Sequence, residues 1–439
     1  MARPLVVACC ALALSVAAVV LLVFLGLSLR KTSLRKAVLR QGARSVPELG
    51  GAGLLPRSGP QLQAWQISSQ NDVVPLVWDP SHGVYLVRLQ VGKSWVKAAV
   101  DTGSARLVVS TTDAGGLYDP SGAVQLMDPR TQGPCTSTIA YVSQSETVQA
   151  VQDSIAFPRI TVDPRLLCTE PVEAVLAAAA PAKQLQITQF PVAAATTPGS
   201  SLNVFGLSGV VSDTRTPAPQ GGKDLYVLPS CQTSDVPAFE SAFLESICGF
   251  HKAKGDTCAW SLFLGASSGF LSVGRLLTAC MQPQYTPLVP SLPNASSALG
   301  RTPSRYYVVA VVACAVGKIG QDVSTYVPLA GFPKFMLVDT GTTQVLLPGA
   351  KGPANATALG ALGPQDMAVL VLANSVTLTF KQADVTYGGT KSPVFSSMSA
   401  STAQNFSTTL DTGILGCTGL RGLYLEFDLG AQRLGLAQP

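Results

Sequence analysis

The sequence predicts an all-β chain of two similar halves with a few short helices. Three observations predict it. From Val74 onward, short runs of β-branched and aromatic residues are separated by turn residues. Helical stretches are few. Finally, Asp-Thr-Gly follows a short apolar run at two places 238 positions apart: Ala98-Ala99-Val100 leads into Asp101, and Met336-Leu337-Val338 into Asp339.

The expected strands, in order, include Gly83–Val91, Val96–Val100, Leu107–Ser110, Thr136–Val142, Tyr306–Val316, Phe335–Val338 and Val376–Phe380. Helix is expected over Ala238–Cys248 and within Ala358–Leu372, where Pro364 interrupts it. Glu173–Pro198 is Ala-rich, and the expectation there is an insertion in the first half. Ser45–Asn71, rich in Gly, Pro, Ser and Gln, reads as the tail of a pro-segment or a linker.

Each Asp-Thr-Gly continues with a hydroxyl residue, giving Asp101-Thr102-Gly103-Ser104 and Asp339-Thr340-Gly341-Thr342. Two halves that each deliver one Asp to a shared site would hold two carboxyl groups close together. Such a pair cannot ionise twice cheaply and shares a proton. One member is then a base and the other an acid, which is the equipment for adding water to an amide carbonyl. Gly103 and Gly341 let the backbone turn closely under each carboxylate. Ser104 and Thr342 can each hydrogen-bond an outer carboxylate oxygen. A third tripeptide, Asp411-Thr412-Gly413, comes after a weaker apolar run and is read as non-catalytic.

With these residues the chain resembles the pepsin-like aspartic endopeptidases, from about Val74 to its end, with insertions. Tyr141 stands forty positions after Asp101, about where that family places the tyrosine of the flap over the substrate. Val74-Pro75-Leu76 resembles its mature N-terminal strand. Ile414-Leu415-Gly416 and the segments Leu423–Asp428 and Arg433–Ala437 resemble its last strands. The resemblance implies a two-lobed fold and an extended polypeptide substrate across the cleft between lobes. It implies Asp101 and Asp339 as the catalytic pair, and Thr102 and Thr340 as residues that bond across the lobe interface. Two departures stand out. Val142 succeeds Tyr141 where the family has Gly, and Leu107-Val108-Val109 lacks the tryptophan that supports the flap. Arg30–Gly42 resembles the family's basic propeptide. The implied organisation is a signal peptide or anchor at 1–28, propeptide and linker at 29–69, a first lobe at 70–278 and a second at 279–439, as a monomer.

Length and composition agree with export. Apolar residues make up 47% of the 439 and charged residues only 13%. The formal net charge of +5 arises at the N-terminus: residues 1–44 hold seven of the 30 basic residues and none of the 25 acidic ones. The remainder is slightly acidic and offers nothing basic to suggest nucleic acid. Leu5–Leu29 carries no charge and is long enough to span a bilayer, while Gly26 and Ser28 fit a cleavage site. Cleavage and retention as a membrane anchor both stay open. Sequons at Asn294, Asn355 and Asn405 point to the secretory lumen or the cell exterior for residues 30–439. Eight cysteines, Cys135, Cys168, Cys231, Cys248, Cys258, Cys280, Cys314 and Cys417, could form four disulfides in a pairing the sequence leaves open. No Cys-x-x-Cys appears and His82 and His251 are the only histidines, so neither a metal nor a cofactor is expected.

Two other functions compete. Gly265-Ala266-Ser267-Ser268-Gly269 matches a serine-hydrolase elbow, but both histidines precede Ser267, the wrong order for that fold. The stronger rival is a non-catalytic binding protein of the same fold, resembling the plant xylanase inhibitors. Relatives of that kind typically degrade one Asp motif, and this chain keeps both.

Overall fold

The structure, a computed structural model, describes residues 61–62, 71–112, 118–127, 132–140, 145–196, 202–208, 243–244, 246–248, 257–276, 281–289, 291–293, 301–303, 307–332, 334–348, 351–381, 384–387, 390–398 and 412–438. Leu5–Leu29, Tyr141, Val142, Asn294, Asn405 and Asp411 lie outside them. No described helix is long and apolar enough to cross a membrane.

Strands dominate and build two large sheets, the framework of a two-lobed all-β fold. In the first sheet, Val84–Val91 and Ser94–Asp101 form a hairpin whose alternate positions point inward, burying Val87, Leu89, Val96 and Ala98. Ser145–Thr161 and Ala180–Ala195 are its longest members and pair antiparallel. The sheet is completed from far along the chain. Asp72–Asp79 pairs with Ser268–Ser272, that strand with Ala259–Leu264, and that one with Leu423–Asp428. The second sheet runs through Asp366–Leu372, Val308–Lys318, Lys334–Asp339, Thr412–Gly416 and Val345–Leu347.

An aromatic cluster joins the two sheets. Trp260 stacks on Phe427 with ring centroids 4.0 Å apart, and Tyr307, at the start of the second sheet, tilts against Phe427 at 4.5 Å. All three are fully buried. Buried charge is handled in pairs. Arg159 meets Asp72 at 2.5 Å, and Asp428 accepts from Arg275 at 2.6 Å and Arg433 at 2.8 Å. A buried carboxylate needs such partners, because desolvation otherwise outweighs what the fold gains by enclosing it.

Several expectations are corrected. Glu173–Pro198 is no insertion. Val172–Ala178 is a short helix, and Ala180–Ala195 is a sheet strand paired with both Ser145–Thr161 and Leu107–Ser110. Its period-two signal is present, since Leu185 and Ile187 are buried between outward-facing glutamines and threonine. The second-lobe helix is Gly352–Gly360, upstream of the expected stretch, and Asp366–Leu372 is a strand. Residues 243–244 and 246–248 are helical, as expected. Cys248 and Cys258 form a disulfide, and Cys135 and Cys168 are also disulfide-bonded. Cys314 and Cys417 are free and buried in β-sheet and short helix respectively, so four disulfides do not form.

The sequon at Asn355 falls inside the Gly352–Gly360 helix. Its side chain is buried, and Nδ2, the atom a glycan would occupy, donates to Ala330 O at 2.9 Å. This placement opposes modification at that position. Peptide mapping after glycosidase treatment should find Asn355 unmodified. Asn355→Ala should cost about 1–3 kcal/mol in denaturant unfolding, because a buried hydrogen bond is lost.

Candidate functional site

Asp101 and Asp339 each end a strand, and the two strands sit in matching surroundings. Ser94–Asp101 has a parallel neighbour, Asn203–Gly206, in which Gly206 faces Asp101. Lys334–Asp339 has a parallel neighbour, Thr412–Gly416, in which Gly416 faces Asp339. Each neighbour then pairs antiparallel with the strand just after its Asp loop, Leu107–Ser110 in one half and Val345–Leu347 in the other. The two glycines leave no room for a side chain. A Cβ on Gly206 would lie 2.3 Å from Arg106 N, and one on Gly416 would lie 2.0 Å from Gln344 O. The chain can therefore tuck the Asp loop tightly against its neighbour in both halves. Ile414-Leu415-Gly416 is recognisable as a motif in the sequence. Its counterpart, Val204-Phe205-Gly206, has the same apolar-apolar-Gly signature, which sequence reasoning missed.

The two Asp loops are tied to one another. Thr102 Oγ1 donates to Val338 O at 2.8 Å and accepts from Thr340 N at 3.0 Å. Thr340 Oγ1 donates to Val100 O at 2.6 Å and accepts from Thr102 N at 3.1 Å. Both threonines are fully buried, so the four bonds form without competition from water. The expectation that they bond across the halves describes this geometry.

The carboxyl groups meet over these loops. Asp101 is 8% exposed and Asp339 3%. Each lies against the other half's glycine: a Cβ on Gly103 would be 2.5 Å from the Asp339 carboxyl carbon, and one on Gly341 would be 2.4 Å from that of Asp101. Only glycine permits this approach. Within each loop a backbone amide supports the carboxylate, with Gly103 N–H to Asp101 Oδ1 at 2.7 Å and Gly341 N–H to Asp339 Oδ1 at 2.9 Å. Thr342 Oγ1 donates to Asp339 Oδ2 at 2.7 Å, the expected outer bond. The two halves differ here. Ser104 is close enough to Asp101 to favour its charged form, yet its buried Oγ has no hydrogen-bond partner of ordinary geometry.

This environment acts on Asp101 in a definite direction. Burial, the neighbouring Asp339 charge and the Asp339 hydrogen bond all push its carboxyl well above the ordinary carboxylate range, and Ser104 and the Gly103 amide offset this only in part. The pair therefore holds a proton where isolated aspartates would have lost it.

The strands expected to flank Tyr141, Thr136–Ala140 and Ser145–Thr161, are described and pair antiparallel. In the region that lacks the tryptophan, Val108 packs in a cluster with Cys135, Val148, Ala150, Ala193 and Ala195. Small side chains and a disulfide-bonded cysteine thus fill the place next to Val108. Of the remaining sequence candidates, Thr412-Gly413 begins the strand beside Asp339. Ser267 donates through N and Oγ to Glu173, in the turn between two strands.

No protein-family model and no curated protein matches the chain. Solved structures do match. One is the aspartic proteinase from Irpex lacteus, with 17% identity, a TM-score of 0.51, and coverage of 84% of this chain and 96% of that one. At this identity the likeness establishes a shared pepsin-like fold.

Two outcomes are expected from this geometry. Thr102→Val removes the acceptor of the buried Thr340 N–H and should cost about 1–3 kcal/mol in chemical unfolding, while Thr102→Ser should recover most of it. Asp101→Asn should raise the melting temperature at neutral pH. Linkage sets the sign. A carboxyl whose folded pKa is raised contributes stability that is complete below its unfolded pKa and is lost as pH rises through the folded one. The gain from Asn should therefore vanish below about pH 4, which paired thermal melts would read.

Proposed function

We propose that the chain is an aspartic endopeptidase that hydrolyses peptide bonds by activating a water between Asp101 and Asp339. The single observation that carries this reading is the buried carboxyl pair, held by reciprocal threonine bonds between two matching strand-loop units. The fold shared with a solved aspartic proteinase supports it. In the proposed reaction the ionised carboxylate takes a proton from the water as its oxygen attacks the scissile carbonyl. The protonated partner donates to the carbonyl oxygen, giving a neutral tetrahedral diol. Collapse breaks the C–N bond: the protonated carboxyl gives its proton to the leaving amine while the other carboxylate takes the proton of a diol hydroxyl, which leaves a carboxylic acid and restores the singly protonated pair. The titration belongs to the pair rather than to either residue.

The substrate is an extended polypeptide across the cleft, with Tyr141 closing over it. The protein is made as a secretory-pathway zymogen and works as a monomer, either released or anchored through 5–29. The disulfide-bonded Cys135, Cys168, Cys248 and Cys258 support an oxidising compartment.

The test is cleavage of an unfolded protein at acidic pH by the 30–439 chain, with and without a statine-type inhibitor. Inhibitable cleavage, abolished by Asp101→Asn and by Asp339→Asn, is the expected result. A folded chain freed of its pro-segment that cleaves nothing would overturn it and favour a binding protein.

A further inference from the structure

The turn Asp79–Gly83 joins the strands Asp72–Asp79 and Val84–Val91 and takes no part in the proposed chemistry. It is nevertheless tightly built. Asp79 Oδ1 accepts from Ser81 N at 2.9 Å and from Ser81 Oγ, and Asp79 Oδ2 meets His82 Nδ1 at 2.7 Å. Gly83, at φ +70°, closes the turn with its N–H on Asp79 O at 2.8 Å. Ser81 Oγ also lies on His82 Nδ1, at 2.9 Å. Serine and carboxylate share one ring nitrogen, so this trio is not a nucleophilic relay, in which they would occupy opposite nitrogens.

What the turn does reach is the other Asp loop. The main-chain carbonyl of His82 accepts a hydrogen bond from Thr343 Oγ1 at 3.0 Å, across 261 positions. Thr343 O is in turn gripped by Thr418, through N at 2.9 Å and Oγ1 at 2.7 Å. Thr342, the adjacent residue, holds Asp339. A continuous set of contacts thus runs from the Asp79–His82 pair to the carboxyl group of the site.

We propose that the Asp79–His82 turn is a protonation-dependent positioning strut. Charging His82 in acid closes its ion pair with Asp79, fixes the His82 carbonyl against Thr343, and so steadies the Asp339 loop. Histidine is the ordinary side chain that changes charge between pH 5 and 8. Neutral imidazole loses the charge and, in one tautomer, the Nδ1 donor as well. Asp79 is prepared for the role: partial burial opposes its charge, but the Ser81 and His82 hydrogen bonds outweigh that and hold it below its usual range. Among the described residues Asp79 is the one ion-pair partner of His82.

The groups packed around the turn do not duplicate that charge change. The short helix Cys417–Leu420 packs on Val84–Val91, and burial keeps the Cys417 thiol neutral by pushing its pKa up. Arg421 lies over the Trp78 ring at 4.6 Å and donates to Ala266 O. Glu173 is engaged by Ser267. Thr343, on the facing loop, does not titrate in this range. The strut itself needs no catalysis. Only its service to the Asp339 loop in turnover rests on the proposed peptidase function.

The test is amide hydrogen exchange at Thr340, Gly341 and Thr342 in the full chain carrying Asp101→Asn, which removes self-cleavage and the shared dyad proton. After correction for intrinsic rates, protection at about pH 5 should exceed that at about pH 7.5 by about threefold, the scale of a partly exposed ion pair. His82→Gln and Asp79→Asn should each abolish the pH dependence. His82→Lys, charged throughout, should hold the higher protection at both pH values. In the chain with Asp101 intact, His82→Gln should lower kcat in acid while leaving KM nearly unchanged, and His82→Lys should restore it. Protection that is independent of pH, or a pH dependence that survives His82→Gln, overturns the proposal. The exchange arms read it even if no peptide is cleaved, so a failure here is distinguishable from failure of the peptidase reading.

Discussion

Burying two carboxyl groups against each other is the constraint around which this molecule is arranged. Left alone, such a pair would swing apart or draw in water, because each charge is poorly solvated and repels the other. The fold denies both escapes. Each Asp is fixed at the end of a strand, backed by a parallel neighbour and supported by an amide from its own loop. The threonine bonds then fasten loop to loop, so the separation of the carboxyls is set by backbone rather than by side-chain freedom. The cost of enclosing them appears as the displaced titration of Asp101. The same effect that strains the fold at neutral pH supplies a protonated acid next to a base.

The two halves match in backbone but differ in chemistry. Both halves use the same strand, turn and parallel partner, yet Thr342 bonds its aspartate while Ser104 leaves its hydroxyl without a partner of good geometry. The short serine side chain lacks the β-methyl that restricts the threonine rotamer. Each loop is also held from its parallel neighbour's far end, by Ser208 N–H on Ser104 O at 2.7 Å and by Thr418 on Thr343 O, and the second meets the His82 carbonyl as well.

Much of this was legible because it rests on local rules. Asp-Thr-Gly after an apolar run marks a strand that ends in a tight turn, and both instances behave so. The strands flanking them fall within a residue or two of the expected limits. What failed did so for identifiable reasons. Ala180–Ala195 has strand periodicity only in its middle, and its alanines are neutral until Ser145–Thr161 covers them. The helix at Gly352–Gly360 carries no amphipathic pattern and begins on Gly-Pro, so its position was set by packing of Leu359 and by the Asn355 bond to Ala330. An even count of cysteines suggested complete pairing, but Cys314 and Cys417 are used as small buried apolar groups. No sequence pattern marks the contact between His82 and Thr343, which lie 261 positions apart.

The route of the first sheet has a consequence for how the chain is made. Asp72–Asp79 is one of the earliest described strands, yet its edge is completed by Ser268–Ser272, then Ala259–Leu264, and finally by Leu423–Asp428 and Arg433–Ala437. A nascent first lobe leaving the ribosome therefore has an open apolar edge, with Leu262 and Leu264 awaiting the partners that Leu423–Asp428 supplies. Such non-local closure is slow and exposes sticky intermediates. Leu423–Asp428 must be made before that edge can close, and its loss would expose Ala259–Leu264, while Asp72–Asp79 keeps its pairing with Val84–Val91.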